Sequence, residues 1–210
     1  MKKVVIIDYG MGNIWSVMSA IEYLGVKAIK SNNPDVVSKS RLLILPGVGS
    51  FRMAMNKLKQ SQLDLAIHES ISQGNNKILG ICLGMQLLGD SSEEDGYTEG
   101  LGLVPMTFKH FDNKNIDHKT KVPHVGFNAI TIDNNEGIFK GLQSTSEFYF
   151  VHSYRALTEN ITGKSNCIYA TCNYGIEFIA GFDYGNICGT QFHPENSQTN
   201  GLILLKNFIN

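Results

Sequence analysis

Residues 77–94 read KILGICLGMQLLGDSSEE, and the change of character along this stretch decides the fold. Lys77 to Ile81 is a short apolar run of strand type. Gly80-Ile-Cys-Leu-Gly84 is a Gly-x-Cys-x-Gly turn, and Met85 to Leu88 returns to helix formers. A strand that turns this sharply into a helix holds its central residue on strained backbone, where bulky neighbours would clash; Gly80 and Gly84 are small enough to fit. Cys82 stands at the tip. At a helix start, free N–H groups and the helix dipole favour thiolate over thiol and can bind an oxyanion, which suits attack on a carbonyl carbon.

A nucleophile needs a base, and the candidate lies far along the chain in Gly189-Thr-Gln-Phe-His-Pro-Glu195. Ile187 to Phe192 reads as a strand ending in His193 and Glu195, with Pro194 stiffening the link between them. In that arrangement His193 takes the thiol proton and returns it to a leaving amine, while Glu195 fixes the imidazole tautomer and stabilises its charged form. General acid–base help of this kind is worth roughly 10²–10⁴-fold.

The rest of the chain supplies the frame. Val4 to Ile7 reads as a buried strand, Asp8-Tyr-Gly-Met-Gly-Asn13 as a turn, and Ile14, Val17, Met18, Ile21 and Leu24 as one face of a helix capped by Asn13 and ended by Gly25. Gly10 and Gly12 lack the third glycine of a dinucleotide fingerprint. Val26 to Ile29 and Leu42 to Leu45 are further strands, separated by the polar connection Asn33 to Lys39, and residues 50–73 are helical with a break near Gln60 to Gln62. Alternating strands and helices predict an α/β fold, with a mostly parallel central sheet covered on both faces.

From Leu101 the texture changes. Val104 to Phe111, Ala129 to Ile132 and Glu147 to Tyr154 look like strands, with the polar linker Asp112 to Thr120 between the first two. Ile168 to Cys172 and Ile176 to Phe182 form a hairpin about Asn173-Tyr-Gly175, so an accessory antiparallel sheet is expected. A final helix packs Leu202, Leu205, Phe208 and Ile209 inward.

Composition bounds the function classes. The 210 residues fit one domain, 1–210, and 18 basic against 19 acidic side chains give a net charge of −1, with no nucleic-acid or membrane footprint. Asp8 ends the first apolar run too early for a signal peptide, and no stretch approaches the ~20 apolar residues of a membrane span. Without a secretory signal, Asn160-Ile-Thr162 carries no meaning as a glycosylation acceptor. Cys82, Cys167, Cys172 and Cys188 lack the spacing of a disulfide framework or zinc site, which points to a reducing cytoplasm, with no metal or cofactor expected.

GICLGMQLL together with QFHPE resembles the class I glutamine amidotransferases. More narrowly, DYGMGN, LPGVGSF, SEE followed by GLGLVP, KVPHVGFN, YFVHSY and QFHPENSQ fall in the order of one branch, the glutaminase subunit of imidazole glycerol phosphate synthase. The resemblance implies a Cys82-His193-Glu195 triad that hydrolyses L-glutamine and passes ammonia to a cyclase subunit in a heterodimer. It also implies an oxyanion hole from the Pro46-Gly-Val-Gly49 loop (Val48 and Gly49) together with the amide of Leu83. Gly47, Gln86, Glu94, Ser153 and Tyr154 are carried over as glutamine contacts, and Asn13, His124 and Tyr149 as residues on the partner side.

Local readings stand beside these. The Gly-Val-Gly loop also suits a plain strand-to-helix turn, Glu93-Glu-Asp95 a solvated charge run, and His152 a packed strand residue. The branch usually has Trp at Phe127 and lysine at Asn196. The second departure admits a paralogue feeding an amidino-sugar synthase of surface-polysaccharide biosynthesis. A stand-alone thiol hydrolase is the remaining alternative.

Overall fold

The computed structural model describes residues 2–111, 121–157 and 167–210. The polar linker Asp112 to Thr120 and the Asn160-Ile-Thr162 acceptor lie outside them.

Strand β1 (Lys3–Ile7) leads into α1 (Ile14–Tyr23), then β2 (Lys27–Ser31), α2 (Pro34–Ser38), β3 (Leu42–Gly47), α3 (Phe51–Gln60) and α4 (Leu63–Ser72). The elbow follows as β4 (Lys77–Cys82) and α5 (Leu83–Leu87). Short strands β5 (Ser91–Ser92), β6 (Thr98–Glu99) and β7 (Thr107–His110) precede the long hairpin β8 (His124–Ile132) and β9 (Thr145–His152). The chain ends with β10 (Tyr154–Ala156), β11 (Ile168–Asn173), β12 (Glu177–Tyr184), β13 (Ile187–Thr190) and α6 (Gln198–Ile209).

The strands run in the order β2-β1-β3-β4-β13-β12-β10-β7-β5-β6, with β11 joining β12 to the β8–β9 hairpin. The first five are mutually parallel and β12 reverses direction. The antiparallel part is therefore a branch of the same sheet through β12 rather than a separate layer.

Both faces of the parallel region are buried, as its apolar runs require. Along β1, Val4 and Ile6 enter one core with Ile14, Val17 and Ile21 of α1 and Leu204, Leu205 and Phe208 of α6. Val5 and Ile7 enter the other, with Phe51, Met55 and Leu58 of α3 and Leu63 and Ile67 of α4. Each such side chain contributes about 1.5–3 kcal/mol by leaving water.

Local expectations need three adjustments. The polar connection at Asn33 contains α2, because Asn33 Oδ1 accepts from Asp35 N at 2.9 Å and Pro34 occupies the first helical position. Asn13 stands at the start of α1 but makes no side-chain capping bond. The strand expected from Ala129 begins earlier, at His124.

Candidate active site

The carboxyl ends of β3, β4 and β13 lie side by side. Gly47 is in register with Cys82, and Thr190 with Ile81. Three loops distant in sequence thus meet at one sheet edge, where open α/β sheets place their ligands.

The elbow is strained as its sequence predicts. Cys82 adopts φ 55° and ψ −111°, a region that L side chains rarely occupy. Its neighbours permit this only as glycines. A Cβ on Gly80 would lie 2.6 Å from Gly84 O and Met85 N, and a Cβ on Gly84 would land on the Leu45 carbonyl oxygen. The outcome is a thiol only 6% exposed, presented at the floor of a cavity of about 260 Å³.

His193 reaches this cavity from the end of β13. Its backbone is fixed by N–H donation to Tyr149 O at 2.9 Å, and its carbonyl accepts from Ser197 Oγ at 2.6 Å. The imidazole Nδ1 lies 2.8 Å from Glu195 Oε1, with the two side chains 5% and 1% exposed. A carboxylate can only accept, so Nδ1 carries the proton. Nε2, the nitrogen left for acid–base work, is buried and has no hydrogen-bond partner.

Burial alone would lower the His193 pKa, but the Cys82 sulfur and the Glu195 carboxylate raise it from 6.5 to about 10. The sulfur acts on the ring even though no hydrogen bond of good geometry joins them. As placed, Sγ donates to Val151 O at 3.6 Å and accepts from Gln191 Nε2 at 3.8 Å.

The cavity wall gathers most residues singled out in the sequence: Val48, Gly49, Leu83, Gln86, Glu94, Ser153 and Tyr154, with Cys82 and His193. Gly49 has φ +101°. Glu94 Oε2 accepts from Phe51 N at 2.7 Å at the start of α3, and burial is the main cause raising its pKa. Gly47 lies beneath the wall rather than on it; a Cβ there would meet the Tyr9 hydroxyl at 2.6 Å. A larger cavity of about 560 Å³ opens at the amino ends of β1, β3 and β4, but the residues lining it include neither Cys82 nor His193.

The three residues placed on the partner side part company. Asn13 is exposed, and Tyr149 is half-buried with its ring edge on Phe127 at 5.6 Å. His124 is 0% exposed, stacked between Phe150 and Tyr174, so its side chain cannot form a contact surface. His152 is a packed strand residue, but it also lines the cavity. Two neighbours of the thiol went unassigned from sequence. Tyr9 donates its hydroxyl proton to Pro46 O at 2.9 Å under the elbow, and fully buried Gln191 contacts Sγ. The remaining cysteines are buried free thiols, with burial raising Cys172 to about 12 and Cys188 well above its ordinary value.

The family model for class-I glutamine amidotransferase matches residues 5–210. The chain belongs to the class I glutamine amidotransferases. Relatives of this amidotransferase include imidazole glycerol phosphate synthase subunit HisH 1 of Parasynechococcus marenigrum (strain WH8102), 44% identical over 100% of this chain and 98% of the relative. Subunit HisH of Acinetobacter baylyi is 38% identical over 100% and 98%. Among solved structures, a glutamine amidotransferase superposes with TM-score 0.74 at 15% identity over 98% of this chain and 96% of the other. A second, from Thermotoga maritima, gives 0.59 at 15% identity over 92% and 76%. These two support the fold alone. Among the described residues of the amidotransferase, no helix is long and apolar enough to cross a membrane.

Proposed function

We propose that this chain is the glutaminase subunit of an imidazole glycerol phosphate synthase. It hydrolyses L-glutamine to glutamate and ammonia and passes the ammonia to a cyclase subunit in a heterodimer of the cytoplasm. The observation that carries the chemistry is the strained Cys82 opening into the same cavity as the buried His193–Glu195 pair. The full-length relatives carry the pathway.

His193 Nε2 takes the Cys82 thiol proton, the sulfur attacks the side-chain amide carbon of glutamine, and the carbonyl π electrons move onto oxygen. The amides of Val48 and Leu83 stabilise that oxyanion. As the tetrahedral intermediate collapses, His193 gives a proton from Nε2 to the departing nitrogen and ammonia leaves. His193 then takes a proton from water, which attacks the thioester; the C–S bond breaks, glutamate leaves, and the proton on Nε2 returns to the sulfur. Glu195 holds the ring with Nε2 toward the sulfur throughout. Glu94 and the Ser153–Tyr154 segment receive the amino-acid end of the substrate. Ammonia released into water would protonate and lose its nucleophilicity, so transfer within a complex suits the chemistry.

The test is glutamine hydrolysis by the chain alone and with its organism's cyclase and ribulosyl nucleotide substrate, with Cys82→Ser as the blank. Stimulation by the cyclase that disappears in Cys82→Ser supports the reading. An exposed asparagine at position 196, in place of the expected lysine, favours the second reading, an amidino-sugar paralogue. Glutaminase activity without any response to an active cyclase would select it.

A further inference from the structure

Behind the cavity wall, β8 and β9 pair so that His124 stands opposite His152. His124 Nδ1 and His152 Nε2 are 3.0 Å apart, His152 Nδ1 lies 2.8 Å from Tyr154 O, and Asn128 Nδ2 lies 2.6 Å from His124 Nε2. Burial lowers the pKa of His152 to about 3 and of His124 to about 4, so both rings are neutral at ordinary pH.

Neutrality makes the direction of every bond in this chain unambiguous. A backbone carbonyl only accepts, so His152 carries its proton on Nδ1 and its Nε2 is an acceptor. His124 must then be protonated on Nδ1, which leaves its own Nε2 as an acceptor for the Asn128 amide. The Tyr154 carbonyl at the inner end also accepts from Gln86 Nε2 at 3.3 Å. That same nitrogen donates to Gln191 Oε1 at 3.1 Å, and Gln191 Nε2 points its proton at Cys82 Sγ, 3.8 Å away. Two donor runs therefore meet on the Tyr154 carbonyl, one from Asn128 beside the exposed Phe127 and one from Gln86, whose amide also orients Gln191 toward the nucleophile.

We propose that His124 and Asn128 are positioning residues for glutamine hydrolysis: together with the Tyr154 carbonyl they hold the His152 ring in one tautomer and place, and that carbonyl, through Gln86, aims the Gln191 amide at the sulfur. This rests on the glutaminase reading and deepens it. Neither residue touches substrate. Their effect is to keep one wall of the cavity and one donor to the sulfur in a single arrangement, because a histidine free to switch tautomer would turn a lone pair toward the Tyr154 carbonyl.

The test uses His124→Phe, which keeps an aromatic ring between Phe150 and Tyr174 but removes the donor, and Asn128→Ala at the half-buried outer end. Ile132→Val serves as a packing control. Cys82 inactivation is followed in the isolated chain with the glutamine analogue 6-diazo-5-oxo-L-norleucine and with iodoacetamide, and the His152 tautomer by ¹⁵N NMR. The expected result is about a tenfold slower reaction with the analogue relative to iodoacetamide in His124→Phe, on the scale of one lost hydrogen bond. A smaller loss in the same sense is expected in Asn128→Ala, with mixed His152 tautomers in both variants and no change in the control. Equal ratios in folded variants, or an unaltered His152 tautomer, would overturn the proposal. If the unmodified chain is not labelled at Cys82 by the analogue, the glutaminase reading itself fails, which is a separate outcome.

Discussion

Gly84 Cα faces the Leu45 carbonyl so closely that any side chain at position 84 would occupy the oxygen's place. The obstacle is backbone of a central strand, which cannot rotate aside. Gly84→Ala must therefore displace the elbow from β3 or fail to fold, at a cost of about 3 kcal/mol or more. Gly102 offers the contrast, with φ +62° but nothing within 4 Å of an added Cβ, so Gly102→Ala carries only the conformational strain of about 1–2 kcal/mol. Urea unfolding of the two variants measures the difference. Equal losses would mean that the elbow tolerates movement.

Glu195 is one of the two groups that raise the His193 pKa against its burial. Glu195→Gln keeps the shape and removes the charge, so the imidazole should titrate well below the unmodified protein's value. Glutamine turnover should fall by roughly 10²–10⁴-fold as the ring loses its fixed tautomer and its acid form. NMR titration of the His193 ring against pH reads the first effect directly. An unshifted midpoint would show that the carboxylate only packs.

The elbow and the His-Pro-Glu end were legible because each is a local pattern: strand residues, a small-x-Cys-x-small turn, a proline between two functional groups. Their meeting at one sheet edge followed from alternating strands and helices. Gln191 was not legible as a neighbour of sulfur, since its role depends on β13 lying beside β4. The His124–His152 pair was equally hidden, because it depends on the register of β8 and β9. Helix α2 left a readable signal in Asn33-Pro34, a cap followed by proline, that composition obscured.

Ser197 ties the catalytic turn to β9: its hydroxyl donates to His193 O at 2.6 Å and accepts from Tyr149 N at 3.0 Å, and it is 2% exposed. Ser197→Ala leaves a buried carbonyl and a buried N–H without this partner, costing about 1–3 kcal/mol. Activity should fall further than the loss of folded protein explains, since the backbone carrying the imidazole is released. Comparing kcat under fully folded conditions with the unfolding midpoint separates the two.

The histidines divide the pH dependence of stability into two windows. His193 is raised from 6.5 to about 10, so the folded state holds its proton more tightly; that stabilisation is complete below pH 6.5 and is lost as pH rises toward 10. His152 and His124 are lowered to about 3 and about 4, so below pH 6.5 the unfolded chain binds protons that the folded chain refuses, and stability falls as pH drops toward those values. The two slopes oppose each other on either side of pH 6.5 and belong to different residues. His193→Gln should flatten the limb between pH 6.5 and pH 9 alone, above which the buried thiols Cys172 and Cys188 add their own loss, and His124→Phe should shallow the acid limb alone, both read from urea midpoints between pH 4 and pH 9. A His193→Gln variant that kept its alkaline loss would place that loss on another group.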